Sequence, residues 1–141
     1  MSKVFDEAHF DEDDWAKFKV ISWLQKHGYQ AWVNPDLYGI DVLATKDGKP
    51  YAFEVEVKHI WTDYDFPFNE VHFSARKLKF VLYPAEVWFV MLNNELTNSL
   101  FVSAEDFNEA PIVRKDTVYS SNEMFVELSR DLVRFIDFSE V

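Results

Sequence analysis

The chain of 141 residues contains no cysteine. That excludes disulfides, thiolate metal centres and a cysteine nucleophile. No stretch approaches the ~20 apolar residues of a membrane span. The first ten residues, MSKVFDEAHF, lack the apolar core of a signal peptide. A soluble intracellular, cytoplasmic protein is therefore expected. Internal repeats, low-complexity tracts and interdomain linkers are also lacking, and the length suits one domain. Positive charge is scarce: 14 Lys and Arg stand against 25 Asp and Glu, giving a net charge of −11. This counts against a simple nucleic-acid binder, because basic patches supply most nonspecific affinity for phosphate.

Apolar residues, in contrast, make up 48% of the chain and aromatics 18%, with fourteen Phe, enough for a packed core. The charge is unevenly spread. Asp6, Glu7, Asp11, Glu12, Asp13 and Asp14 are opposed only by Lys3, so residues 1–14 carry −5 of the total. Residues 1–13 read as an acidic arm ahead of a single domain, 14–141. The arm is either a solvated segment that caps a helix, since acids favour helix N-termini, or an arm that competes with nucleic acid or binds a basic protein partner.

One stretch organises the rest: Tyr38 to Ile60, YGIDVLATKDGKPYAFEVEVKHI. From Tyr51 to Lys58 it alternates strictly. Tyr51, Phe53, Val55 and Val57 point one way, and Ala52, Glu54, Glu56 and Lys58 the other. Side chains two apart on a strand lie about 6.5–7 Å apart, so two carboxylates and an ammonium share one face. Gly39 to Leu43 reads as a short apolar strand carrying one acid, Asp41. Asp47-Gly48 is a hairpin turn signal. Antiparallel pairing across it is expected to bring Asp41 near Glu56, with Lys58 beside the pair. Any half-exposed strand alternates in this way, so the surroundings matter as much as the triplet.

Those surroundings are consistent. A helix is expected from Asp14 to His27, ended by Gly28, with Ala16, Val20, Trp23, Leu24 and His27 as its core stripe. Gln30–Asn34 reads as an edge strand. Pro35-Asp36 reads as a turn in which Asp36 makes local hydrogen bonds. Residues 59–69 form a loop rich in aromatics. Ser74 is expected to cap a helix running to Tyr83, with Ala75, Leu78, Val81 and Leu82 facing the core and Arg76, Lys77 and Lys79 as a basic cluster. Glu86–Leu92 is apolar on both faces, as in an interior strand. Leu100–Val102 and Met124–Leu128 read as strands, Ser103–Asp106 as the start of a short helix, and Ser129–Ile136 as a terminal helix.

A Gly-Ile-Asp41 strand followed by Glu56-Val57-Lys58 across a hairpin resembles the PD-(D/E)XK nuclease superfamily, which includes resolvases and restriction endonucleases. The resemblance implies a mixed α/β sheet flanked by helices and a magnesium- or manganese-dependent DNA endonuclease. It implies Asp41 and Glu56 as metal ligands, the Val57 carbonyl as a further oxygen, and Lys58 as the catalytic lysine. Glu54, on the same face, is a candidate outer or second-metal ligand. Related nucleases often carry an acid on the first helix; Glu12, Asp13 and Asp14 all qualify. Arg76 is the candidate basic residue near the site, Lys77 and Lys79 the candidate phosphate contacts, and His72 either contacts phosphate or caps. The small size implies structure-selective or low-specificity cutting and leaves a homodimer open. The contrasting reading is an acidic, non-catalytic interaction protein on the same scaffold.

Overall fold

A computed structural model describes residues 11–117 and 122–141. Most of the acidic arm, including Asp6 and Glu7, therefore lies outside the described residues. Asp11–Asp14, however, belong to the first helix, α1 (Glu12–Lys26). Asp11 is its N-cap, and Asp11 and Asp14 close a reciprocal capping box. Gly28, with φ of 90°, ends it as expected. Ala16, Val20 and Leu24 are fully buried.

The strands that follow are β1 (Gln30–Val33), β2 (Val42–Lys46), β3 (Lys49–Lys58), β4 (Glu70–Ser74), β5 (Glu86–Asn93), β6 (Asn98–Ser103), β7 (Ile112–Lys115), β8 (Glu123–Ser129) and β9 (Arg134–Asp137), with helix α2 (Ala104–Glu109) after β6. They form a six-stranded mixed sheet, order β1-β2-β3-β5-β6-β9, and a three-stranded sheet, order β4-β8-β7. The β3–β5 pair is parallel and its neighbours are antiparallel. This is the α/β architecture expected, a sheet flanked by helices.

Alternation along β3 and β5 divides the core. Phe53, Val55, Val90 and Leu92 pack under α1 with Phe101 and Phe138. Ala52, Phe89 and Met91 face the other way, toward the small sheet and α2, with Phe73 and Phe107. Phe89 and Phe107 stack at 3.7 Å. Trp61 and Phe66, from the aromatic loop, are buried in this second core, whereas Tyr64 remains exposed.

Two expected helices are absent. The segment after Ser74 is a 3-10 helix, Ala75–Leu82. At three residues per turn, positions i and i+3 eclipse, so Leu82 leaves the expected core stripe and lines up with Arg76 and Lys79, 88% exposed. Leu78 and Val81 stay packed on the core. The C-terminal segment makes only a short 3-10 turn, Arg130–Leu132. It then enters β9, whose backbone pairs with β6 and so covers that edge of the large sheet. No helix among the described residues is long and apolar enough to cross a membrane.

Candidate active site

The hairpin between β2 and β3 sets the geometry. Asp47 and Gly48 both have positive φ, 52° and 78°, as a two-residue type I′ turn requires. Such a turn pairs Lys46 with Lys49, and the register then runs outward to Val42 opposite Phe53. Asp41, one residue before β2, falls beside Glu54 and not beside Glu56. Its Oδ2 accepts the Val55 backbone N–H at 2.8 Å. The expected Asp41–Glu56 pairing is thereby corrected by one side-chain step along β3, about 6.5–7 Å.

A turn built from local hydrogen bonds delivers Asp41 to this position. The Asn34 side chain donates to the Ile40 carbonyl at 2.9 Å, and the Asn34 N–H donates to the Asp41 carbonyl at 3.0 Å. The Asp36 N–H donates to Asn34 Oδ1, and the Tyr38 N–H donates to Asp36 Oδ1, each at 3.0 Å. Asp36 is thus turn scaffold, as expected from its place after Pro35. Gly39 is required sterically: a Cβ there would lie 2.7 Å from Asn34 Nδ2.

Glu54, Glu56 and Lys58 share one face of β3, opposite α1. The basic group among them is Lys77, from the 3-10 helix. Its Nζ lies 3.2 Å from Glu54 Oε2 and 3.0 Å from Glu56 Oε1. Both Lys77 and Glu54 are largely buried, with side chains 17% and 12% exposed. Burial works against the Lys77 charge, yet Glu56 and Glu54 outweigh it and raise the pKa. Lys58 behaves differently. Its Nζ sits 5.4 Å from the Phe68 ring centroid, and burial lowers its pKa, with Glu56 opposing and Lys115 assisting. Among the described residues it forms no ion pair with Glu54 or Glu56.

Burial raises the Glu54 pKa to about 7; Lys77 pulls it down, and the neighbouring Asp41 pushes it up. Glu54 Oε1 is buried without a hydrogen-bond partner. An uncompensated carboxylate oxygen beside a second carboxylate suits a hard cation, which needs only one or two protein carboxylates and keeps several waters. No cluster of three or more His, Asp or Glu among the described residues forms a ready-made cage.

Helix α1 brings charged side chains toward Asp41. Of its three candidate acids, Asp14 is committed to the capping box and Glu12 lies 3.6 Å from His59 Nδ1. Asp13 feels Asp41 directly: burial raises its pKa, Asp11 and Asp41 add to this, and Lys17 and Lys77 oppose. Lys17, not anticipated from the sequence, places Nζ 3.6 Å from Asp41 Oδ1. The signal was present, because Asp13, Lys17, Val20 and Leu24 share one helix face at i, i+4, i+7 and i+11.

The remaining candidates separate. Arg76 is exposed and its Nε donates to Ser74 Oγ at 3.2 Å; the residue entering the acid cluster is Lys77, not Arg76. Lys79 lines the open groove above the acids. His72 belongs to β4, where Nε2 meets Glu127 Oε2 at 2.8 Å across the small sheet. That partner accounts for its position.

No protein-family model matches the chain, and no curated protein matches it either. Among solved structures, the chain is similar to Hjc from Archaeoglobus fulgidus, a Holliday junction resolvase from an archaeal hyperthermophile. The TM-score is 0.57 at 12% identity, over 86% of this chain and 87% of that one. The fold is resolvase-like. In that resolvase-like frame, the turn before β2, Glu54 of β3 and the 3-10 helix converge on one groove of about 370 Å³, with Asp41, Glu54 and Lys77 in its wall.

Proposed function

We propose that the protein is a metal-dependent endonuclease acting on DNA, with Asp41 and Glu54 as the cation-holding pair. The observation that carries this reading is the orphaned, buried Glu54 Oε1 next to the Asp41 carboxylate. Glu56 stands one step outward and Asp13 faces the pair from α1. When bound there, magnesium or manganese supplies Lewis acidity and acidifies water. Lys77 takes the part the sequence pattern gave to Lys58: its ammonium is fixed at the carboxylates and stabilises charge that develops on the phosphate. Asp41, pinned by the Val55 amide and faced by Lys17, is held in position before any ligand arrives.

The test is nicking of plasmid and branched DNA in manganese, beside calorimetric titration of manganese alone. Wild type is expected to cut and to bind the cation, and Glu54→Gln to lose both. Absence of cutting together with absence of cation binding overturns the reading. It would favour the acidic interaction protein instead, a reading supported by the net charge of −11 and by Lys77 already bridging Glu54 and Glu56.

A further inference from the structure

We infer that the groove takes an unpaired nucleotide, stacked on Tyr38, and that this selects DNA with unpaired bases over plain duplex. The inference rests on the nuclease reading and names the substrate class of that same site.

Tyr38 and Leu37 form the tip of the turn that delivers Asp41. They are 91% and 84% exposed, and both line the groove that holds Asp41, Glu54, Arg76 and Lys79. Adjacent exposed aromatic and aliphatic side chains at a turn tip offer a contact surface to a partner. This tip, moreover, is not a loose loop. The Tyr38 N–H is tied to Asp36 Oδ1, the Gly39 N–H to the Asp36 carbonyl at 3.1 Å, and the Asp36 N–H to Asn34. The ring is therefore presented by a backbone already ordered, so little conformational entropy is lost when a partner lands on it.

Charge identifies the partner. Across the groove, the three-residue repeat of the 3-10 helix aligns Arg76, Lys79 and the exposed Leu82 on its outward side. A flat apolar platform facing a short cationic row matches a nucleotide, whose base is planar and whose phosphates are anionic. In an intact duplex the base faces are covered by their neighbours, so a ring at the rim gains nothing from them. A flap, gap or branch point exposes a base face, and stacking it is worth ~1–3 kcal/mol. The protein holds few cations with which to bind duplex backbone nonspecifically, so this term weighs heavily.

The experiment uses the full chain with calcium in place of magnesium and DNA carrying 2-aminopurine at an unpaired position, beside a fully paired duplex of equal length. Wild type is expected to bind the unpaired substrate more tightly and to quench the probe. Tyr38→Ala should lose about 5- to 150-fold of that affinity, the equivalent of ~1–3 kcal/mol, with duplex affinity unchanged. Tyr38→Phe should retain both affinity and quenching. Equal wild-type affinity for the two DNAs, or a preference that survives Tyr38→Ala, overturns the inference, as does failure to bind either DNA. Cleavage by wild type in manganese is scored separately. Cutting without preference leaves the nuclease standing and removes the stacking; preference without cutting does the reverse.

Discussion

The Asp41 carboxylate and the Val55 backbone amide are joined by a 2.8 Å hydrogen bond across the mouth of the hairpin. Here β2 has not yet begun, so the amide on β3 lacks a strand partner, and a side chain supplies one. The same bond fixes the carboxylate beside Glu54. One interaction thus satisfies the β3 amide beyond the end of β2 and orders the candidate site.

Moving the basic role from Lys58 to Lys77 has a direct kinetic consequence. Lys77→Met removes the ammonium held between Glu54 and Glu56 and is expected to lower the cleavage rate by about 10²–10³, as for loss of one preorganised donor. Lys58→Ala, whose ammonium lies over Phe68, should stay within several-fold of wild type. Single-turnover rates on one DNA substrate decide this. The reverse order would return the role to Lys58.

Glu54 makes the metal-free protein pH-sensitive. Its carboxyl has a pKa of about 7 in the folded chain against an ordinary 4.5. Between those values the folded state keeps a proton that the unfolded chain has lost, so stability falls as pH rises through this window. The full penalty applies above pH 7 and vanishes below 4.5. Glu54→Gln should therefore stabilise the protein at pH 8, by at most ~3 kcal/mol, and not at pH 4. Urea titrations at the two pH values measure it; equal effects at both would refute the assignment.

How much of this was legible beforehand depends on which force decides each element. The β3 alternation and the apolar β5 follow from burial on one or both faces, and both were readable. The capping acids and Gly28 marked α1 to within two residues. The hairpin register was also readable in principle: Asp47-Gly48 as a two-residue turn forces Lys46 opposite Lys49 and hence Asp41 beside Glu54. The Glu56-Val57-Lys58 triplet lies one side-chain step outward of Glu54, the residue that Asp41 meets. Lys77 was legible as a candidate phosphate contact but not as the partner of Glu54 and Glu56, because helical periodicity at 3.6 places it on a different face from the 3-10 periodicity that operates. β9 was hidden for another reason. Arg134-Phe135-Ile136 is ambiguous locally, and only its pairing with β6 makes it a strand.

Gly39 should be the least tolerant position of the turn. In Gly39→Ala the new methyl would sit 2.7 Å from Asn34 Nδ2 and 3.2 Å from Asp36 Oδ2, within the hydrogen bonds that hold the tip. Relief requires Asn34 to release the Ile40 carbonyl, which is expected to destabilise the fold by about 1–3 kcal/mol. Cleavage should fall more than stability alone explains, since Asp41 shifts with the turn. Rates measured well below the unfolding midpoint separate the two effects. Wild-type activity in a destabilised variant would show that the turn does not position the acid.

Salt dependence tests where the phosphates run. Arg76 and Lys79 lie on the open side of the 3-10 helix, whereas Lys77 is bound to two carboxylates. Removing one cation that pairs with a phosphate should lower the slope of log affinity against log salt by about one unit. Arg76→Ala and Lys79→Ala are each expected to do so, similarly for every DNA sequence and with calcium replacing magnesium. Deleting residues 1–10 takes away Asp6 and Glu7 but leaves Asp11 to cap α1, so folding should be retained. If the acidic arm competes for the same cations, affinity rises and the slope steepens. Unchanged slopes in both point variants would place the phosphates elsewhere, and unchanged affinity in the truncation would leave the arm without a role in DNA binding.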